Sequence, residues 1–229
     1  MMARLVGGDF GEERPETQMS QEFKDWYEPI ARARMIENKR RDPADPLYPR
    51  SIGDTWGFGA GILFPEPPSP LKIRITKLPN NCLSDFLGSL YVSDKIKIKV
   101  EDIERGVHQF LPLEVEMPDG SITDKRYWIW CNMNVLDTLV IDKSEFMRPY
   151  YFNKEKWPDY FEYEWFGNHV NSPVLAINKA AIAGKAKWVD YKLGLVFFSD
   201  EFANWLDGEG IKGWEDGSFT KQRTKIIEV

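Results

Sequence analysis

Cysteine and histidine are scarce, with only two of each in 229 residues. Cys82, Cys131, His108 and His169 stand in four distant places and form none of the close pairs that structural zinc sites show, so no metal centre is expected. Two thiols in a chain long enough to build its own core suit a reducing compartment, and the cytoplasm is the expected location. Long apolar runs are missing as well. Nothing approaches a membrane span, and the opening residues 1–18 lack the apolar segment of a signal peptide. Positive charge is in deficit, 30 Lys and Arg against 36 Asp and Glu, giving a formal net charge of −6. A surface that tracks nucleic-acid phosphates needs the opposite balance, so no nucleic-acid role is expected and a basic partner is favoured.

Catalytic signatures are absent too. Gly57, Gly59 and Gly61 precede Ile62-Leu63-Phe64-Pro65 rather than a helix that could receive a phosphate, and read as a turn. Gly184-Lys185 lacks the glycine and hydroxyl partners of a phosphate-binding loop and reads as a loop lysine. No Gly-x-Ser-x-Gly element occurs. Neither catalytic residues nor a cofactor are expected. Two carboxylate pairs, Glu114/Glu116 and Glu162/Glu164, are spaced to share a strand face, as a carbohydrate hydrolase could use them or as a solvated strand would show them. The hydrolase is kept as the alternative function.

What the chain has in quantity is aromatic side chains, 14% of the total with nine Trp. They sit in a pattern that predicts an α+β fold, a mixed or antiparallel sheet with helices packed on it. Residues 1–19 read as a loosely held leader. Ser20 caps a helix carrying Phe23, Trp26, Tyr27 and Ile30, with Pro29 kinking or splitting it before about Arg41. Proline and glycine then crowd residues 42–70, which read as connector rather than core. The expected division is therefore an N-terminal leader, helix and connector over 1–70 and an α+β domain over 71–229.

Leu71 to Thr76 alternates as a strand does, and Leu111-Leu113-Val115-Met117 with Tyr127-Ile129-Cys131-Met133 forms a hairpin around Pro118-Asp119-Gly120. Trp128 and Trp130 point to its other face, so both faces are covered. Asn134 to Phe146 is a short helix or another strand. One unit occurs twice. Ser89-Leu90-Tyr91-Val92-Ser93-Asp94-Lys95 is echoed by Leu195-Val196-Phe197-Phe198-Ser199-Asp200-Glu201, each an apolar strand ending in Ser-Asp before an amphipathic segment. Ser93 and Ser199 can cap the helix that follows, while Asp94 and Asp200 place negative charge at its positive end. After the second helix, Ile211 to Trp214 starts back as a strand.

These Ser-Asp turns, the segment Tyr127-Trp128-Ile129-Trp130-Cys131-Asn132-Met133-Asn134-Val135-Leu136-Asp137 with Asp142 and Ser144, and the run Leu175-Ala176-Ile177-Asn178-Lys179 to Gly184-Lys185-Ala186-Lys187-Trp188 and Phe197 to Phe202 resemble the immunity-protein-11 family. The resemblance spans roughly residues 85–215 and is strongest over 172–214. It implies a protein encoded beside a contact- or secretion-delivered bacterial toxin, which binds that toxin domain and blocks it. A monomer or a homodimer would serve. The family has no catalytic residues to carry over.

Nine aromatics fall within the seventeen residues Tyr150 to Phe166, interleaved with Glu155, Asp159, Glu162 and Glu164. Large rings dominate the energy of closed interfaces, and carboxylates among them attract a basic partner. Trp157, Asp159, Tyr160, Glu162, Tyr163, Glu164 and Trp165 are the expected toxin-binding residues. The same alternation also suits a half-buried strand, which would make these rings core between the two Ser-Asp units.

Overall fold

The computed structural model describes residues 3–5, 15–39, 56–59, 61–68, 70–77, 83–87, 91–144, 148–150, 162–164, 174–190, 195–211, 214 and 225–229. In chain order these form β1 (Ala3–Leu5), β2 (Glu16–Met19), α1 (Gln21–Lys39), α2 (Trp56–Gly59), β3 (Leu71–Lys77), β4 (Tyr91–Ser93), α3 (Asp94–Ile103), β5 (Gln109–Glu116), β6 (Tyr127–Cys131) and β7 (Val135–Leu136). A 3-10 turn (Ile141–Lys143), β8 (Arg148–Tyr150), β9 (Glu162–Glu164), β10 (Val174–Ile177), α4 (Lys179–Ile182), β11 (Lys187–Asp190), β12 (Leu195–Ser199), α5 (Asp200–Gly208) and β13 (Lys225–Glu228) follow. The fold is α+β with mixed sheets.

A five-stranded sheet runs in the order β2-β3-β5-β6-β4, antiparallel except where β3 lies parallel to β5. A second sheet runs β1-β12-β11-β7 and is parallel only between β11 and β7. Period-2 alternation decides what each face meets. Ile73, Ile75, Leu111, Leu113, Val115, Tyr127, Ile129 and Cys131 face Phe23, Tyr27 and Ala31 of α1. Trp130 on the opposite face meets Ile96 and Val100 of α3 and Phe198, Phe202 and Leu206 from β12 and α5. Trp130 and Phe198 stack with centroids 6.3 Å apart, joining the two sheets. The neighbouring Phe197 turns the other way, stacks on Trp188 at 5.6 Å, and closes a third cluster with Leu175 and Ile177 of β10.

The N-terminal third departs from its expected looseness. β1 pairs with β12 and β2 with β3, so part of the leader is sheet. Residues 42–70 are described only in part, yet Phe58 and Phe64 there are buried and their rings lie 4.7 Å apart. Phe58 also stacks on Tyr27 at 4.7 Å. The glycines around it close a short helix, α2, which presents one ring to the core. Pro29 does not split α1, which runs unbroken through it. The carbonyl that loses its donor to Pro29 is that of Asp25, an exposed residue, and burial of Phe23, Tyr27 and Ala31 outweighs the cost.

Both Ser-Asp units form as strand then helix, β4–α3 and β12–α5, but their caps differ. Ser199 Oγ accepts the Phe202 N–H at 3.2 Å, as expected. Ser93 makes no side-chain cap; its buried hydroxyl has no hydrogen-bond partner among the described residues. At both helix starts an arginine pairs with the aspartate, Arg126 with Asp94 and Arg4 with Asp200 at 3.1 Å. Lys95 pairs with Glu209 at 2.7 Å and Lys99 with Glu201 at 3.7 Å, so the beginning of α3 meets the end of α5 and the helices run antiparallel. In α3 the 3.6-residue period buries Ile96 and Val100 and turns Ile98 out to 57% exposure. Ile211 and Trp214 are buried but belong to no strand among the described residues.

Truncating Phe58 to Ala removes a fully buried ring that touches Phe23, Tyr27 and Phe64. Chemical denaturation is expected to show a loss of about 3–5 kcal/mol; a loss under about 1 kcal/mol would mean that this segment is connector after all.

Candidate functional site

The expected toxin-binding residues fall largely where no side chain is described. Trp157, Asp159, Tyr160 and Trp165 lie outside the described residues, as do Cys82 and His169. Glu162, Tyr163 and Glu164 form β9, which pairs antiparallel with β8 in the register Arg148↔Glu164, Pro149↔Tyr163, Tyr150↔Glu162.

The other carboxylate pair is committed elsewhere. Glu114 and Glu116 stand directly across from Lys72 and Arg74 on β3, at 2.9 Å and 3.3 Å. The Glu114 bond raises the Lys72 pKa above its usual value. These are cross-strand ion pairs on a partly solvated face.

The densest polar arrangement lies inside. Glu104 follows the last residue of α3 and is 4% exposed. Its Oε1 accepts the Ala186 N–H at 2.5 Å and the His108 Nε2–H at 3.3 Å. Its Oε2 accepts from Asn134 Nδ2 at 2.8 Å and pairs with Lys185 Nζ at 3.5 Å. Burial alone would push this carboxyl up, but the donors from His108, Asn134 and Ala186 outweigh it and hold the pKa below the usual glutamate value. His108 Nδ1 accepts the Met133 N–H at 3.2 Å, which fixes the tautomer that donates from Nε2. Both ring nitrogens are therefore engaged and the ring is buried.

The same region joins the two sheets. Asn134 Nδ2 also donates to the Lys187 carbonyl at 2.9 Å, and the Asn134 carbonyl accepts the Val189 N–H at 2.9 Å. Asn132 Nδ2 donates to the Asn134 carbonyl at 3.0 Å. On β11, Asp190 Oδ2 accepts from the Thr138 N–H, the Thr138 hydroxyl and the Leu139 N–H at 2.8, 2.7 and 3.0 Å, fixing the chain after β7. Asn178 caps α4 by accepting from Ala180 and Ala181. The stretch Asn134 to Phe146, ambiguous in sequence, thus opens with the short strand β7 and continues through the 3-10 turn.

Lys187 is buried with its Nζ 4.4 Å from the Trp130 ring centroid. Burial pushes its pKa down to about 7, with Cys131 nearby opposing the shift. Burial pushes the Cys131 thiol up to about 12, against the pull of Lys187. Such a thiol is neither nucleophile nor metal ligand near neutrality. No group of three or more His, Cys, Asp or Glu that could hold a metal occurs among the described residues.

Glu104 and Asp190 were not singled out in the sequence. Glu104 stands in a charged run with Glu101 and Asp102, where nothing local marks it as the one that turns inward. His108 is a core histidine whose two ring nitrogens both have partners.

The residues that carried the sequence resemblance are therefore mostly interior. Trp130, Cys131, Asn132, Asn134, Ala186, Lys187 and Trp188 are buried, and Asn178 caps a helix. In keeping with this, the chain matches the Immunity protein family (Imm11) over residues 16–220 and belongs to it. No curated protein matches the chain. Among the described residues no helix is long and apolar enough to cross a membrane.

Glu104→Ala leaves buried donors on Ala186, Asn134 and His108 without an acceptor and is expected to cost about 3–5 kcal/mol. Because the folded pKa of Glu104 is lowered, its contribution is present above the unfolded value of about 4.3 and is lost as pH falls through the folded value. Acid titration of stability should show a smaller loss in this range for the variant than for the natural chain.

Lys187 gives the opposite-facing test. Its folded pKa near 7 lies below the unfolded value of about 10.4, so stability should rise from pH 7 upward. Above about pH 8.5 the unfolded chain's Cys131 ionises while the folded thiol does not, and the rise should level off. In Lys187→Met the rise between pH 7 and about 8.5 should vanish; an unchanged slope would show that another group titrates.

Proposed function

We propose that this protein binds a cognate bacterial toxin domain and neutralises it by occlusion, without transforming a substrate. The family match over residues 16–220 supports this reading. The toxin would be delivered by contact or secretion in competition between bacteria, within a polymorphic toxin system, and met in the cytoplasm of the protected cell. The aromatic and acidic stretch Tyr150 to Phe166 is the proposed contact surface. Trp157, Tyr160, Tyr163 and Trp165 would supply rigid rings, and Asp159, Glu162 and Glu164 would meet lysine or arginine on the toxin. The formal charge of −6 suits such a basic partner and would speed encounter. An interface of standard size, about 1,600 Å² in total, is sufficient for the tight binding that protection requires.

The test begins with the toxin domain encoded by the neighbouring gene. Co-expression with this protein should restore growth, and the two should copurify. Trp157→Ala, Tyr160→Ala and Glu164→Ala, made separately, should each lose protection while keeping the natural melting temperature. If all three unfold, the stretch is core and the contact surface lies elsewhere. Growth arrest in the presence of the intact natural protein would remove the proposed function itself.

A further inference from the structure

A cleft of about 260 Å³ lies where the start of α1 meets β3 and the proline segment before it. Phe23, Trp26, Pro68, Pro70 and Leu71 give it an apolar floor, with Glu22, Lys72 and Glu114 around it. Its volume falls below the roughly 300–1,000 Å³ of sites that enclose small molecules, and suits a single long side chain. Trp26 is braced by Phe64, with ring centroids 5.8 Å apart, so it is held as a platform rather than left to swing.

The charges around the cleft do not cancel. Lys72 is taken by Glu114 at 2.9 Å. Glu22 is fully exposed, and its carboxyl is held below the usual range by its own backbone N–H and then by the Ser20 hydroxyl. It stays charged at neutral pH with no cation bonded to it among the described residues. Asp25, one turn further along α1, carries a second exposed carboxylate on the same side and, among the described residues, is bonded to the Gln21 amide, at 2.7 Å.

Resting on the reading that the partner is a basic toxin domain, we infer that this cleft is a docking point for one lysine or arginine side chain of that toxin, whose stem lies against Trp26, Pro68 and Pro70 and whose head group reaches Glu22. The apolar stem of such a residue suits the aromatic and proline surface, and a cation near an indole face gains further attraction. The contact is a second one, separate in sequence from Tyr150 to Phe166.

The experiment uses the full chain and the neighbouring gene's toxin domain, inactivated by substitution, with affinity measured by calorimetry at low and moderate salt. Glu22→Lys should weaken binding at least ten-fold, Glu22→Gln by less, and both should keep the natural melting temperature within a few degrees. Trp26→Ala should weaken binding if it folds; if it does not, the Glu22 pair still decides. Charge reversal of one toxin lysine or arginine should restore affinity to Glu22→Lys. Natural protein that binds, with both Glu22 variants binding equally well, overturns the cleft alone. Natural protein that does not bind overturns the proposed function and the cleft together.

Discussion

A carboxylate in a protein interior must be fully satisfied by donors, and Glu104 meets that demand with donors from three separate segments. Ala186 donates from the approach to β11, Asn134 from the segment before β7, and His108 from the turn after α3, while Lys185 adds a charge partner. Removing water from a charge costs several kcal/mol, so the arrangement is tolerable only when all donors arrive together. That requirement couples α3, the second sheet and the β6–β7 connection. Dispersion and apolar burial hold each cluster together, but they are indifferent to small slides. A carboxylate with directed donors is not, and this sets where the second sheet sits against the first.

The two Ser-Asp units complete that registration. Asp94 and Asp200 stand in the first turns of α3 and α5, where negative charge suits the helix dipole, and each is held by an arginine from the strand approach to β6 or the N-terminal end of the chain. Ion pairs between the helices are exposed and individually weak, yet they agree with the antiparallel packing that the core beneath imposes. Trp130 lies at the centre of this layer, stacked on Phe198 and edge-on to Phe202 and His108. One aromatic side chain therefore touches the first sheet, the start of the second unit and the polar centre.

Strands β3, β5 and β6 were legible because their alternation spans enough residues to fix a face, and the Ser-Asp units because a cap and an apolar face occur in sequence. β1 was not legible. Three residues carry no period, and Ala3 to Leu5 are strand only because β12 offers an open edge. Phe58 and Phe64 were hidden by their neighbours, since proline and glycine predict turns and say nothing about a ring carried on the turn. Glu104 was unreadable for a deeper reason. A buried carboxylate is defined by its donors, and the backbone N–H of Ala186, which gives its shortest bond, leaves no trace in the identity of any residue near Glu104.

The location of the recognisable residues bears on what the family likeness can tell. A residue whose role is to satisfy Glu104, to cap α4 or to stack on Phe197 is constrained by this fold whichever toxin is met. Tight occlusion of a particular partner depends instead on surface rings and charges, which can change without disturbing any buried donor. Membership therefore reports a scaffold, and under the proposed function the choice of toxin would fall to groups outside it, for which Glu22 and the stretch Tyr150 to Phe166 are the proposed candidates. On physical grounds the two sets should tolerate change differently. Substitutions at Glu104, Asn134 or Asp190 act through folding, whereas substitutions at exposed carboxylates such as Glu22 leave buried donors and the fold as they were.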